Sequence, residues 1–247
     1  MRSVLVTGSN RGLGLAIVGR MLTSKSPPGH VFATCRRPEQ ATELQNLASC
    51  HSNLHILPFD VTDFESYGNL VDRVSDAVKD DGLNVLFNNA GIPGKYSRIS
   101  YFKASHLIET FTVNTAAPIM LTKAFVPLLK QASRSNKHLP MGTSRAAVVN
   151  MSSILGSIGL NKDGGHYLYR CSKSALNAAT KSFSVDLKSS GILVVSLHPG
   201  WVKTDMGGPN APMTTDRASQ HIAQLLCSLS EEHNGGFYSY DGSPLQW

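Results

Sequence analysis

Apolar residues come along this chain in short runs rich in β-branched types, separated by longer stretches where apolar positions recur at helical spacing. The runs predict strands at 3–7, 31–35, 54–59, 85–88, 146–151, 192–197 and 236–240. The helical stretches are 13–22, 39–48, 64–78, 105–130, 169–189 and 215–230. Strand alternating with helix in this way predicts an α/β fold, a doubly wound and mainly parallel seven-stranded sheet with helices on both faces. Val4-Leu5-Val6 and Val85-Leu86-Phe87 are continuously apolar, as strands buried on both sides are.

Punctuation agrees with that reading. Ser26-Pro27-Pro28-Gly29 stops the first helix, Thr62 or Asp63 is placed to cap the third, and Pro118 and Pro127 predict a kink or break in the fourth. Residues 133–144 read as a surface loop and 161–165 as a glycine-containing insertion. Residues 199–212 hold three glycines and three prolines, too many for regular structure. No repeat or linker interrupts the pattern, so the expectation is one domain over residues 1–247.

Composition narrows the class. Of 247 residues 41% are hydrophobic and only 16% charged, which excludes intrinsic disorder and leaves ample material for one core. The net charge of +6 favours an anionic partner without choosing among nucleotide, nucleic acid and membrane. No run of five basic residues occurs, which weighs against nucleic acid, and no apolar stretch of ~18 residues suggests a membrane span. Cys35, Cys50, Cys171 and Cys227 show no pairing pattern, and no signal peptide is read at the start, so the expected location is cytoplasmic. His51 and His55 stand four apart, but no third metal ligand is close in sequence.

The chemistry begins at Thr7-Gly8-Ser9-Asn10-Arg11-Gly12-Leu13-Gly14, between the first strand and the first helix. Glycine there lets the backbone turn sharply and approach a pyrophosphate, which the free N–H groups of the helix start then receive. Position makes the signal specific, because this is the first strand-to-helix switch of an alternating chain. An NAD site carries an Asp or Glu about 20 residues on, for the ribose 2′-hydroxyl. Here the second strand ends in Cys35-Arg36-Arg37, and Arg11 adds a third guanidinium. Fixed positive charge where a 2′-phosphate would lie predicts NADP(H) as cofactor.

Tyr169 and Lys173 stand four apart at the start of a helical stretch, so phenol and ammonium share one face. The ammonium and an oxidised nicotinamide would both favour phenolate, bringing Tyr169 towards acid/base strength. Tyr167 stands six before Lys173, on another face. Upstream, the strand through Asn150-Met151 ends in Ser152-Ser153, of which alternation lets only one hydroxyl face the cleft. Asn88-Asn89-Ala90-Gly91 follows the fourth strand, and Asn114 sits within an apolar helical stretch, where bracing and a lysine relay are both open readings.

Together these motifs resemble the short-chain dehydrogenase/reductase family over essentially the whole chain: T-G-x-x-x-G-x-G at 7–14, N-N-A-G at 88–91, S-S at 152–153, Y-x-x-x-K at 169–173 and P-G at 199–200. Within it, residues 151–157 and 198–206 are most similar to sniffer-type and C-factor-like carbonyl reductases. The resemblance implies a Rossmann fold and a catalytic set of Asn114, Ser153, Tyr169 and Lys173. It also implies that Gly8, Asn10, Arg11, Gly12, Leu13 and Gly14 meet the phosphates and Arg36 the 2′-phosphate. Asp60 and Val61 would flank adenine, and Asn88, Ala90 and Gly91 the ribose. Pro199, Gly200, Val202 and Thr204 would line the nicotinamide, with Tyr169 and Lys173 also touching the cofactor. Between Ser153 and Tyr169 lie more residues than many members have, which the 161–165 insertion accounts for.

The function so implied is NADPH-dependent reduction of a ketone or aldehyde carbonyl, with Tyr169 as general acid. A cofactor-bound regulatory or interaction protein with little turnover is the alternative. The expected partner is a small, hydrophobic carbonyl compound, with no nucleic acid and no membrane span. Residues 161–166 and 206–213 are expected at the cleft mouth, the latter as a mobile lid at Gly207, Gly208 and Pro209. Members of the family that pair through their fourth and fifth helices lead to the expectation of a homodimer.

Overall fold

The computed structural model of the chain describes residues 1–94 and 98–247. Its seven strands, β1 (Ser3–Thr7), β2 (His30–Cys35), β3 (Leu54–Pro58), β4 (Val85–Asn88), β5 (Ala147–Met151), β6 (Leu193–His198) and β7 (Phe237–Ser239), form one sheet in the order β3-β2-β1-β4-β5-β6-β7. Every pair is parallel. Alternation along the strands divides the core in two. Val4, Val6, Val31, Phe87 and Val149 pack against α1 (Gly12–Leu22), α2 (Thr42–Cys50) and α7 (Thr215–Ser228). Leu5, Phe32, Leu86 and Val148 pack against α3 (Tyr67–Val78) and α5 (Ala117–Ser135) on the other face. Beside α5 on that face, α6 (Tyr167–Asp186) lies over β6 and meets α4 (Ala104–Phe111) near its start.

The chain runs outward from β1 through β2 to β3, then crosses back to place β4 on the other side of β1. Strand order therefore reverses between β1 and β4, where a parallel sheet opens a crevice at its carboxyl edge. The glycine turn and Asn88–Gly91 are the two walls of that opening.

Several boundaries differ from the sequence expectation. The second and third helices are each preceded by a short 3-10 turn, Pro38–Gln40 and Phe64–Ser66. Neither Thr62 nor Asp63 caps α3 with its side chain; Thr62 instead donates to Asp60 Oδ1 from its N and from its Oγ1 at 2.9 and 2.8 Å. The fourth helical stretch is interrupted by a π-helical turn, Thr112–Ala116, that ends two residues before Pro118, so the expected irregularity falls beside that proline, while α5 continues through Pro127 to Ser135, into the expected loop. By length and apolar composition Ala104–Ser135 falls in the range of a membrane-crossing helix, against the sequence reading; its Leu121, Phe125, Leu128 and Leu129 are buried against the sheet.

Candidate active site

The glycine turn is built by close approach. Gly8 has φ +67°, and a Cβ on Gly14 would stand 2.3 Å from Gly8 O and 2.6 Å from Asn89 Nδ2. Thr7 and Asn89 tie this turn to the end of β4: Thr7 Oγ1 accepts from the backbone N of Asn89 and of Ala90 at 3.0 and 2.9 Å, and Asn89 Nδ2 donates to Thr7 O at 2.8 Å. Arg11 precedes α1 without a side-chain cap, and no acidic residue lies in the first turn. The first-turn N–H groups therefore keep their capacity for an anion. A small cleft lined by Val61, Asn88, Ala90 and Val113 opens beside the turn, and the buried Asn88 Oδ1 has no partner there. Glycine cradle, uncapped helix and orphan acceptor together fit a dinucleotide.

The three arginines divide. Arg36 and Arg37 follow β2 with exposed side chains and no ion pair among the described residues. Arg11 is engaged: its Nη1 meets Asp205 Oδ2 at 2.5 Å, both side chains exposed. Asn10 is exposed on the turn, and Gly12 and Leu13 are half-buried. Asp60, half-buried, holds the Thr62 turn just described.

At the other end of the crevice Lys173 is 3% exposed, and its Nζ donates to Met151 O at 2.7 Å. It lies over the Tyr169 ring, 5.7 Å from the centroid. Because α6 begins at Tyr167, Tyr169 sits within the first turn rather than at its edge. The serine pair separates as alternation requires: Ser152 Oγ donates to Asn177 Oδ1 at 2.7 Å, away from the cleft, while Ser153 stands against Tyr169 and its Oγ accepts from Leu155 N at 3.2 Å. That bond uses an oxygen lone pair and leaves the Ser153 proton free to donate. Asn114, fully buried in the π-helical turn, grips Ile92 by both ends of its amide, accepting from its N at 2.9 Å and donating to its O at 3.0 Å; it also donates to Ser172 Oγ. A Cβ on Gly91 would stand 3.3 Å from Asn114 Oδ1 and 3.6 Å from Lys173 Nζ, so these three close round one point.

Burial sets the electrostatics of the protein without its cofactor. Burial pushes the Tyr169 phenol up to about 12, with the Ser153 hydroxyl pulling the other way, and burial brings the Lys173 ammonium down to about 8. In the protein alone, desolvation is the largest influence on the phenol. Burial also brings His198 down to about 4, so it is neutral at working pH.

A sequence model of the family described as short chain dehydrogenase matches residues 2–214. The chain belongs to the short-chain dehydrogenase family. It is similar to the carbonyl reductase Sniffer of D. melanogaster, with 56% identity, full coverage of both chains and a TM-score of 0.99. An NADPH-bound carbonyl reductase from chicken fatty liver shares 43% identity over 100% of this chain and 99% of that one, at a TM-score of 0.94. The C-signal protein of Myxococcus xanthus is 37% identical over 165 residues, 67% of this chain and 93% of that protein.

In this short-chain dehydrogenase a flap after β6 closes the crevice. Gly200 turns at φ +82° beside Pro199, Val202 forms a parallel bridge with Met213, and Thr204 packs its methyl against Gly12, 3.3 Å from where a Cβ would stand. Gly207 N donates to Thr204 Oγ1 at 3.1 Å and Trp201 Nε1 to Gly207 O at 2.7 Å. Met206 ends above the phenol, its Sδ 3.9 Å from Tyr169 Oη. Met206 stands at the cleft mouth, where residues 206–213 were expected. Sequence reasoning missed Thr7, Asn89 and Asp205 as site residues, although all three lie inside stretches it had singled out; their partners are set only when folding brings the flap and the end of β4 onto the turn.

Proposed function

We propose that this oxidoreductase is an NADPH-dependent carbonyl reductase. The observation that carries the reading is the gathering of Ser153, Tyr169 and Lys173 at one end of a crevice whose other end holds a glycine cradle and, without an ion pair among the described residues, Arg36 and Arg37. Arg36 and Arg37 supply the charge for a 2′-phosphate, and the position directly after β2 is Arg36 rather than a carboxylate that would receive a ribose hydroxyl. NADPH is bound in a similar carbonyl reductase from chicken, which supports the same cofactor here. When bound, the cofactor supplies the hydride that reaches the substrate's carbonyl carbon.

The chain's own residues do the rest. Ser153 donates its free hydroxyl proton to the carbonyl oxygen and holds it as negative charge grows. Tyr169, protonated at neutral pH, gives its phenolic proton to that oxygen, so ketone or aldehyde becomes alcohol. Lys173, still mostly charged at pH 7, offers its remaining protons to ribose hydroxyls and favours the phenolate left behind. Asn114 fixes Ile92 and the wall at Gly91 that would border the bound cofactor.

A panel of aldehydes and ketones, with NADPH oxidation followed by absorbance and NADH run in parallel, tests the proposal. Turnover with at least one carbonyl and a strong preference for NADPH are expected. Silence across the panel, with cofactor bound, would instead favour a regulatory protein.

A further inference from the structure

Residues 153–160 leave β5 at Ser153 and are anchored on two sides before they reach solvent. On the α6 side, Gly156 O accepts from Ser174 Oγ at 2.8 Å and from Asn177 Nδ2 at 3.3 Å. The other anchor is the segment 243–247. After β7 the chain doubles back: Ser239 N donates to Ser243 O and Leu245 N to Phe237 O, both at 2.8 Å, and Tyr238 and Pro244 form an antiparallel bridge. The return leg brings the Trp247 ring onto the buried Phe237, centroids 5.6 Å apart and planes at 19°. Trp247 O then accepts from Gly159 N at 2.9 Å and from Ser157 Oγ at 3.3 Å. Ser157 is 2% exposed, and its hydroxyl also accepts from Leu160 N at 3.1 Å. One carbonyl and one hydroxyl thus fix Ser157, Gly159 and Leu160 together.

Held this way, the loop turns Ile154, Ile158 and Leu160 outward, 40%, 76% and 38% exposed. Ile154 directly follows Ser153. Three solvent-facing aliphatic side chains thus stand on the one loop that begins at a proposed catalytic hydroxyl, where an apolar substrate would gain by covering them. Such a wall contributes to affinity only if it is ordered before the substrate arrives.

We propose that residues 243–247 act as a strap on the 154–160 loop, making Trp247 and Ser157 positioning residues, and that the wall they hold selects extended apolar carbonyl compounds over short ones. The selectivity rests on the carbonyl-reductase reading; the strap itself does not.

The test uses the full chain and the variants Trp247→Ala and Ser157→Ala, with Trp247→Phe as the conservative control. Each is assayed with NADPH against propanal and against hexanophenone, and amide hydrogen exchange is measured across residues 154–160. The two alanine variants are expected to raise KM for hexanophenone about tenfold, leave propanal kinetics and the KM for NADPH within twofold, and speed exchange in the loop; Trp247→Phe restores parent values. Ser157→Ala removes a single oxygen and keeps the test open if Trp247→Ala does not fold. Equal losses on both substrates, or unchanged loop exchange, overturn the proposal. A parent protein that oxidises NADPH with neither compound overturns the reductase reading and the selectivity with it, while loop exchange still decides the strap.

Discussion

The two ends of the crevice are made of different material. Around the glycine turn the surface that faces a ligand is backbone, shaped by residues that lack a side chain, and its charged groups, Arg11, Arg36 and Arg37, are exposed. Around β5 and α6 the surface is supported by buried polar side chains bonded to one another. Asn88 Nδ2 donates to Asn150 Oδ1 at 2.8 Å, Asn150 Nδ2 to Thr180 Oγ1 at 2.9 Å, and Ser196 Oγ to the same threonine at 2.9 Å, with Ser152–Asn177 and Thr115–Ser172 alongside. The difference follows from the task. Phosphate recognition tolerates a solvated cation at several positions, whereas proton transfer needs one oxygen placed to within a few tenths of an ångström. Mutations at the first end should therefore alter affinity, and mutations at the second should alter rate or stability.

The largest expected effect is at the second end. Tyr169→Phe removes the proposed general acid and should lower turnover by about 10²–10⁴ while NADPH binding, read by fluorescence titration, stays within about threefold. At the first end, Arg36→Ala combined with Arg37→Ala removes two charge-assisted contacts of about 1.5 kcal/mol or more each, so KM for NADPH should rise roughly a hundredfold with NADH unaffected. A loss of kcat in that double variant, with KM unmoved, would erase the distinction between the two ends.

The polar network offers a stability test. Asn150→Leu removes two buried hydrogen bonds at once, leaving Asn88 with Thr122 and Thr180 with Leu176 and Ser196, at a cost of about 2 kcal/mol, and should lower Tm by about 4–8 °C in a chain of this size. Smaller still is the pH effect. Lys173 has its proton affinity depressed by burial, so the unliganded protein carries it charged below about pH 8 and neutral above. NADPH affinity should hold between pH 6 and 7.5 and then fall by up to tenfold per unit, measured by titration. For folding the same depressed value means that charging Lys173 opposes the folded state, and that this cost fades as pH rises from about 8 towards the value of a free lysine. The least effect belongs to the exposed Arg11–Asp205 pair: Asp205→Asn should change the NADPH dissociation rate less than fivefold, as solvent screens a contact worth about 1 kcal/mol at most.

Legibility in the sequence followed the same division. β1, β4 and the glycine turn could be read because burial on both faces and backbone chemistry leave local marks in residue type. The partition of Ser152 from Ser153 was open to strand alternation, and the choice of Ser153 came from family resemblance before its place against Tyr169 was visible. The π-helical turn at Thr112–Ala116 was legible only as an irregularity near Pro118, since its spacing departs from the period that reveals helices, and Pro127 marked a place where the helix runs on. The phenol's raised proton affinity was also out of reach, because desolvation is a property of the packed site. The strap joins Ser157 to Trp247 across 90 positions, and the flap joins Arg11 to Asp205 across 194; neither contact has a local cause.

The central claim is direct hydride transfer to a carbonyl carbon, followed by protonation from Tyr169. NADPH carrying two deuterium atoms at the transferring carbon of the nicotinamide, incubated with a carbonyl substrate from the panel in ordinary water, should give an alcohol with one deuterium on the carbinol carbon, and Tyr169→Phe should bind the same cofactor and form almost none. Product lacking deuterium at that carbon, or labelled product formed by Tyr169→Phe as fast as by the parent, would contradict the account.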